Sequence, residues 1–449
     1  MRTLIKNTYL ALICFMLGST EAAAGNIVIE TFSLDNGLEV IVIPNRRVPA
    51  ISHMLWFPNG GADDPSGKSG LTHFHEHVMF RGTANFPAGE FESTISRLGG
   101  NHNAFTGYDT TGYYVNIPKT ALPRIMELEA DRIRGIRPSD ADIIKEREVI
   151  IEERRQRVDN NPTSQFHEQL NSILFVNHPY GTPLIGWLHE MEGLTKDDVL
   201  ELHENHYSPN NATLILAGDI TMAAAKPLVE RYYGRLKERE TKPRNRRIEP
   251  PIRAAKRLTM HHERVKEPEW QRNYIAPSVN TEDKQHGIPL MLFTEWLGGS
   301  DTSYLYQELV VKQKIATRIS AGYNPFSIGP SSMSIRATPA PKVSMEKLEK
   351  AIDAALEKAQ SITLAPADIT RTKTLLKAET IFAREGLQGI AYLVGWMKMN
   401  GLSTNYVNEW ESNIEAVTTT QMTAAAKVAL DLQGSVTGML LPEAEAEAE

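Results

Sequence analysis

The chain has 449 residues, 41% of them hydrophobic and 23% charged, with a net charge of −7. That length exceeds one ordinary core, so two domains of roughly 200 residues each are expected. The mild negative charge and the lack of a basic patch with interleaved aromatics argue against a nucleic-acid partner. Past residue 25 no apolar stretch reaches membrane-spanning length.

Residues 1–24 read as a signal peptide. Arg2 and Lys6 precede an apolar run from about Tyr9 to Leu17, and Ala22-Ala23-Ala24 offers the small residues a signal peptidase needs. Cleavage near Ala24 and export are expected, to a compartment such as a bacterial periplasm. The one cysteine, Cys14, falls in this segment, so the mature chain has neither disulfides nor cysteine catalysis.

Glu30 to Ile43 reads as two strands joined by an Asn36-Gly37 turn. Ile51 to Phe57 is another strand, and a loop rich in Gly, Asp and Pro leads to a helix beginning near Leu71. Glu90 to Leu98 is a second helix stopped by Gly99-Gly100, and Asn101 to Ile117 turns to strand. Leu122 to Arg134 is helical. Ser139 with Asp142 forms a capping box opening a long helix that runs to about Val158, before Asn160-Asn161-Pro162 ends it. Helices follow at Gln165 to Leu174 and Lys196 to Tyr207, and a strand at Ala212 to Ala217 closes the first half. A charged, proline-bearing linker spans 239–256 between domains at 25–238 and 257–441. The second domain repeats the coarse plan of strands, helix, strands and helices, which suggests duplication, and 442–449 is a solvated acidic tail. The expected class is α+β, with two similar domains, each a largely antiparallel or mixed sheet packed with helices.

Chemistry concentrates in Leu71-Thr72-His73-Phe74-His75-Glu76-His77. On a helix, His73, Glu76 and His77 share one face, whereas His75 points off the other side into packing or surface. Two imidazoles of one turn plus a remote carboxylate suit zinc and leave a fourth position for water, whose proton Glu76 can take and deliver to a leaving amine. This is the inverted order H-x-x-E-H. The third ligand must come from elsewhere, and the best segment is Glu146 to Glu153. Those two glutamates lie seven apart and share a helical face at the border of an apolar side set by Ile143, Ile144 and Ile150, while Glu152 points to solvent. The competing reading of this segment pairs them with Arg147 or Arg154 on an ordinary charged helix.

With Gly99-Gly100, Asn103-Ala104, Thr106, His178-Pro179-Tyr180-Gly181 and Tyr207-Ser208-Pro209-Asn210-Asn211-Ala212, these motifs resemble the pitrilysin, insulysin and mitochondrial processing peptidase superfamily along nearly the whole mature chain. The resemblance implies that His73, His77 and Glu153 hold one zinc ion and that Glu76 is the catalytic base. It makes Glu146 the carboxylate that orients a ligand histidine. It also implies that Asn103, Ala104, Phe105 and Thr106 form an edge strand onto which a peptide substrate adds, with Asn103 helping to polarise the scissile carbonyl. The chain would form one half of a clamshell chamber.

The pattern breaks at one place. Active members carry an Arg and a Tyr seven apart after a short L-x-Q-E-like helix; aligning Leu305-Tyr306-Gln307-Glu308 puts Val310 and Thr317 there. Arg318 is one position late and Tyr323 too far on. The expectation is a zinc-bearing subunit of a heterodimer whose homologous, zinc-free partner supplies the Arg and Tyr. Two other readings compete: a non-catalytic structural or chaperone-like subunit of the same fold, and a periplasmic metal-sequestering protein using its 13 histidines. Zinc analysis with hydrolysis of a quenched oligopeptide separates the three.

Overall fold

The computed structural model describes residues 26–443. The leader at 1–24, with Cys14, and the tail from 444 onward lie outside the described residues. The first half runs β1 (Glu30–Ser33), β2 (Glu39–Pro44), β3 (Ala50–Phe57), α1 (Leu71–Val78), α2 (Glu90–Arg97), β4 (Asn101–Thr106), β5 (Thr111–Pro118), α3 (Leu122–Arg134), α4 (Asp140–Arg154), α5 (Pro162–Leu174), α6 (Leu188–Met191), α7 (Lys196–His206), β6 (Thr213–Gly218) and α8 (Met222–Tyr233). The second half runs β7 (Lys256–His262), β8 (Glu269–Ala276), α9 (Gly287–Gly298), β9 (Ala316–Tyr323), β10 (Ser331–Pro339), α10 (Met345–Ala359), α11 (Pro366–Glu385), α12 (Leu387–Met399), α13 (Tyr406–Ala416), α14 (Thr419–Ala429) and β11 (Ser435–Pro442).

The strands form two sheets, ordered β1-β2-β6-β3-β5-β4 and β7-β11-β8-β10-β9. In the first, β2 and β6 pair in parallel and every other neighbour is antiparallel; in the second, β7 and β11 are the parallel pair. Without β1, the two sheets follow one path through space in one chain order. The halves are topological copies, as the repeated coarse plan suggests, and the α+β class is the one the sequence implies.

Each sheet buries one face against its own helices and the other against a helix of the opposite half. Val40, Val42, Leu55, Phe57 and Leu214 pack beneath α1, α3 and α8. On the reverse face Ile41, Met54, Trp56 and Ile215 meet Ile390, Ala391, Val394 and Met397 of α12. Reciprocally, Phe166, Leu170 and Leu174 of α5 cover Val436 and Leu440 of β11. The contact at α12 is close: a Cβ on Gly395 would lie 2.2 Å from the Trp56 ring, so only glycine lets helix and sheet approach this far.

Residues 237–255 carry no helix or strand, yet they are pinned. Arg246 pairs with Asp63 at 3.0 Å and with Asp109, and Glu249 accepts the backbone N–H groups of Val176, Asn177 and His178 at 2.8 to 2.9 Å. Asp109 also accepts from the Tyr180 hydroxyl at 2.6 Å and from the N–H of Ile328 at 3.2 Å. It thus ties both halves to the connecting strap.

Several expectations need correction. The first half ends on α8 rather than on its last strand. Among the described residues the last element is β11, whose Pro442 still pairs with β7 and so is not tail; Lys256 opens β7 and is not linker. The segment aligned with a short helix from Leu305 opens a wide π turn, Tyr306–Lys312. Ile144 is 51% exposed, so the apolar side of α4 rests on Ile143 and Ile150, with Ile151 packed beside them.

Candidate active site

Helix α1 is held at both ends and from behind. Its first residue follows Gly70, at φ +84° with a would-be Cβ 2.4 Å from the Ile185 carbonyl oxygen, a position no other residue fills without strain. Asp64 caps the free donors of the first turn, accepting from Gly70 N at 2.8 Å, Thr72 N at 2.9 Å and Thr72 Oγ1 at 2.6 Å. Behind the helix, His75 is fully buried. His203 Nε2 donates to the Ile133 carbonyl at 3.2 Å, leaving its Nδ1 to accept from His75 Nε2 at 3.1 Å. Burial holds the His75 imidazole well below its usual pKa, so this link is between neutral rings.

The opposite face presents His73, Glu76 and His77 to a cavity of about 1330 Å³, whose wall also includes Asn103 to Thr106 and, from α4, Glu148, Glu152 and Glu153. Ser139 caps α4 as the sequence indicates, accepting Asp142 N at 3.1 Å while the Asp142 carboxylate accepts Ser139 N at 2.9 Å. The helix so fixed carries Glu153 to the two imidazoles: Oε2 lies 3.6 Å from His73 Nε2 and 3.5 Å from His77 Nε2. These are the separations expected of ligand atoms around a tetrahedral ion with bonds of about 2.0–2.1 Å. Among the described residues, His73, His77 and Glu153 are the set whose potential ligand atoms all lie within 4.8 Å of one another. Burial, then the neighbouring charges of His77 and Arg157, bring the His73 pKa down to about 3. Its imidazole is therefore neutral and able to ligate. One nitrogen donor pair and one carboxylate fit zinc.

Glu146 stands behind this group, its Oε2 3.5 Å from His77 Nδ1 and its Oε1 2.9 Å from Arg81 Nε. It is buried. Neither glutamate pairs with Arg147 or Arg154. The Arg147 guanidinium donates to the Leu194 carbonyl at 2.7 Å, and Arg154 donates to Glu168 at 2.9 and 3.0 Å.

Glu76 accepts a 2.5 Å hydrogen bond from Thr106 Oγ1. Burial pushes its carboxyl up from the ordinary carboxylate range, opposed by Thr106 and by His77. Thr106 ends β4, and β4 is the outermost strand of its sheet, free to pair on one side. Asn103 Oδ1 accepts the N–H of Ala104 at 2.9 Å, and Phe105 packs edge-on against Trp56 at 5.0 Å. The sequence reading missed Arg81 and Arg157, each four residues beyond a member of the cluster on a helical path; that spacing was the available signal.

In the second half, Val310 packs partly buried against the core and Thr317 is exposed. Arg318 pairs with Glu267 at 2.8 Å, and the Tyr323 hydroxyl donates to the Pro277 carbonyl at 2.5 Å. Both near-miss residues are engaged within their own half.

Two family models match the chain, Insulinase (Peptidase family M16) over residues 40–187 and Peptidase M16 inactive domain over 193–376. The zinc protease PqqE of Helicobacter pylori is 29% identical over 368 residues, covering 81% of this chain and 82% of its own. A zinc protease of Mycobacterium tuberculosis is 24% identical over 398 residues, 88% of this chain and 89% of its own. Among solved structures, a protease from Helicobacter pylori superposes with a TM-score of 0.84 at 25% identity, covering 92% of this chain and 99% of that one. The periplasmic protease PqqL of Escherichia coli gives 0.75 at 18% identity, with 92% of this chain matching 47% of that one. With both halves matched in order, the chain belongs to the pitrilysin-type M16 peptidase family.

Proposed function

We propose that this chain is the zinc-bearing subunit of an exported metalloendopeptidase that hydrolyses unfolded peptides. The observation that carries this reading is the approach of the Glu153 carboxylate to within 3.6 Å of both imidazoles beside a half-buried glutamate of raised pKa and an open strand edge. His73, His77 and Glu153 would hold one zinc ion, with Glu146 orienting His77. Bound there, zinc would supply the Lewis acidity that makes a water acidic near neutral pH. Glu76 takes the proton of the attacking water and passes it to the nitrogen of the leaving amine. The Thr106 hydroxyl holds the carboxylate in place while this happens. A peptide lying along Asn103 to Thr106 as an added strand is bound through its backbone, so side-chain preference is broad.

The site lacks an Arg and a Tyr from its own second half, since Val310 and Thr317 have no suitable group and Arg318 and Tyr323 are otherwise bonded. A homologous partner across a shared chamber would supply them; the match of this chain to about half of PqqL supports a two-part assembly. The zinc-binding unit would be 25–238 and the second unit 256–442, from the start of β7 to the end of β11. The signal read in residues 1–24 supports a periplasmic site of action, and among the described residues no helix is long and apolar enough to cross a membrane. The missing pair also favours a second reading, a non-catalytic subunit of the same fold. The deciding experiment assays zinc content and cleavage of a quenched oligopeptide by the chain alone and with a homologous partner carrying Arg and Tyr. Activity only in the pair is expected. Full activity from the lone chain removes the shared site, and zinc-loaded inactivity in both removes the enzyme.

A further inference from the structure

Helix α4 does not end in a loop but runs on into one wide turn, Arg155–Asp159, of π geometry. Such turns are less favourable than the α-helix and survive where other contacts hold them. Here Arg154 reaches Asp159 Oδ1 at 3.3 Å, and Gln165 donates to the Asp159 carbonyl at 2.5 Å. A wider turn advances less in angle per residue, so the side chain four positions past Glu153 falls more nearly in line with it. That residue is Arg157. The two arginines just before it are engaged differently: Arg154 is buried against Glu168 and the Gly186 carbonyl, and Arg155 reaches outward to Glu152 at 3.5 Å.

Arg157 alone turns to the cluster, with Nη1 2.7 Å from Glu153 Oε1. The two oxygens of Glu153 therefore have different partners: Oε1 takes the guanidinium, and Oε2 faces the two imidazole Nε2 atoms. Arg157 is otherwise 70% exposed in the wall of the cavity, so little of the fold depends on it. A carboxylate free to turn could offer both oxygens to an ion and fill the place a water needs.

Resting on the zinc reading above, we propose that Arg157 is a positioning residue that makes Glu153 a one-oxygen ligand. It holds Oε1 away from the metal and presents Oε2, which leaves one coordination place open and offsets one of the two negative charges at the site. The residue acts through Glu153.

The test measures zinc affinity by chelator competition, and the visible spectrum of the cobalt-substituted protein, in Arg157→Ala, Arg157→Lys, Arg155→Ala and Glu153→Gln. Loss of a group that orients a ligand lowers metal affinity about ten- to a hundredfold. That loss is expected for Arg157→Ala, with a weaker cobalt band signalling a higher coordination number. Arg157→Lys restores much of the affinity, because it keeps a cation in reach, and Arg155→Ala binds zinc like the parent. The urea midpoint of the metal-free protein stays unchanged in all of them; should Arg157→Ala not fold, Arg157→Gln carries the same comparison. The proposal is overturned if Arg157→Ala keeps the affinity and cobalt band of the parent, or if Arg155→Ala loses as much. Retention of zinc by Glu153→Gln would instead remove the metal reading, and this proposal with it.

Discussion

Replacing Glu76 by glutamine tests the base assignment with little disturbance of shape. Glutamine keeps an amide oxygen to accept the Thr106 hydroxyl, now 2.5 Å from Glu76 Oε2, but it cannot take a proton. General acid–base catalysis by a positioned side chain contributes about 10²- to 10⁴-fold. Because Glu76 serves two proton moves, and burial raises its carboxyl toward the operating pH, the upper part of that range applies. The expected loss in kcat/KM is about 10³- to 10⁴-fold, or ~4–5 kcal/mol of barrier. Glu76 is not among the three residues that converge within 4.8 Å, so zinc content stays at the level of the parent. Stability does not fall either, since a carboxylate kept from water is exchanged for a neutral amide of equal size. The assay compares oligopeptide cleavage, bound zinc and urea midpoint in one preparation of each protein, in the same assembly with its partner. Residual activity above about a tenth of the parent, well outside the expected range for a lost base, would refute the assignment.

Glu153→Gln removes the one anionic member of the triad and is expected to release zinc at concentrations where the parent retains it, checked by metal analysis after dialysis. Thr106→Val removes the hydroxyl that opposes the rise in the Glu76 pKa. Glu76 acts only when ionised, so activity falls as pH drops through its folded-state pKa, and the variant should shift that acid limb to higher pH. A pH–rate profile with an unmoved or lower limb would contradict the arrangement. Gly395→Val forces a side chain to within 2.2 Å of Trp56 ring atoms, and overpacking of this kind costs about 1–3 kcal/mol; equal urea midpoints would show that α12 and β3 have room to spare.

Local signals were legible in the sequence where one element decided its own conformation. The capping pair Ser139 and Asp142, the Asn36-Gly37 turn and the polar face of α1 all express short-range chemistry. The convergence of Glu153 on two histidines some eighty positions earlier was accessible only through the motif as a whole, because spacing within α4 left pairing with Arg147 or Arg154 equally open. Those arginines prove to be drawn off by the Leu194 carbonyl and by Glu168, long-range partners that periodicity cannot reveal. Ile144 misled for a related reason: it is exposed, because α4 has one face on the core and another in the wall of the cavity, which apolar residues alone do not disclose. The terminal strand β11 was missed because its partners β7 and β8 precede it by about 160 residues or more, and a short apolar run reads as strand or helix until its neighbours are known.

The mutual cover of each sheet by a helix from the opposite half has a consequence for how such a chain could be divided. Cut at the strap, either fragment would carry a bared plate of Ile, Met and Trp, or of Val and Leu, to water, together with an orphaned helix made to lie elsewhere. Fragments of that kind stick to one another or reassemble by trading helices, so the two copies, once joined, gained a dependence that neither could have had as an ancestor standing alone.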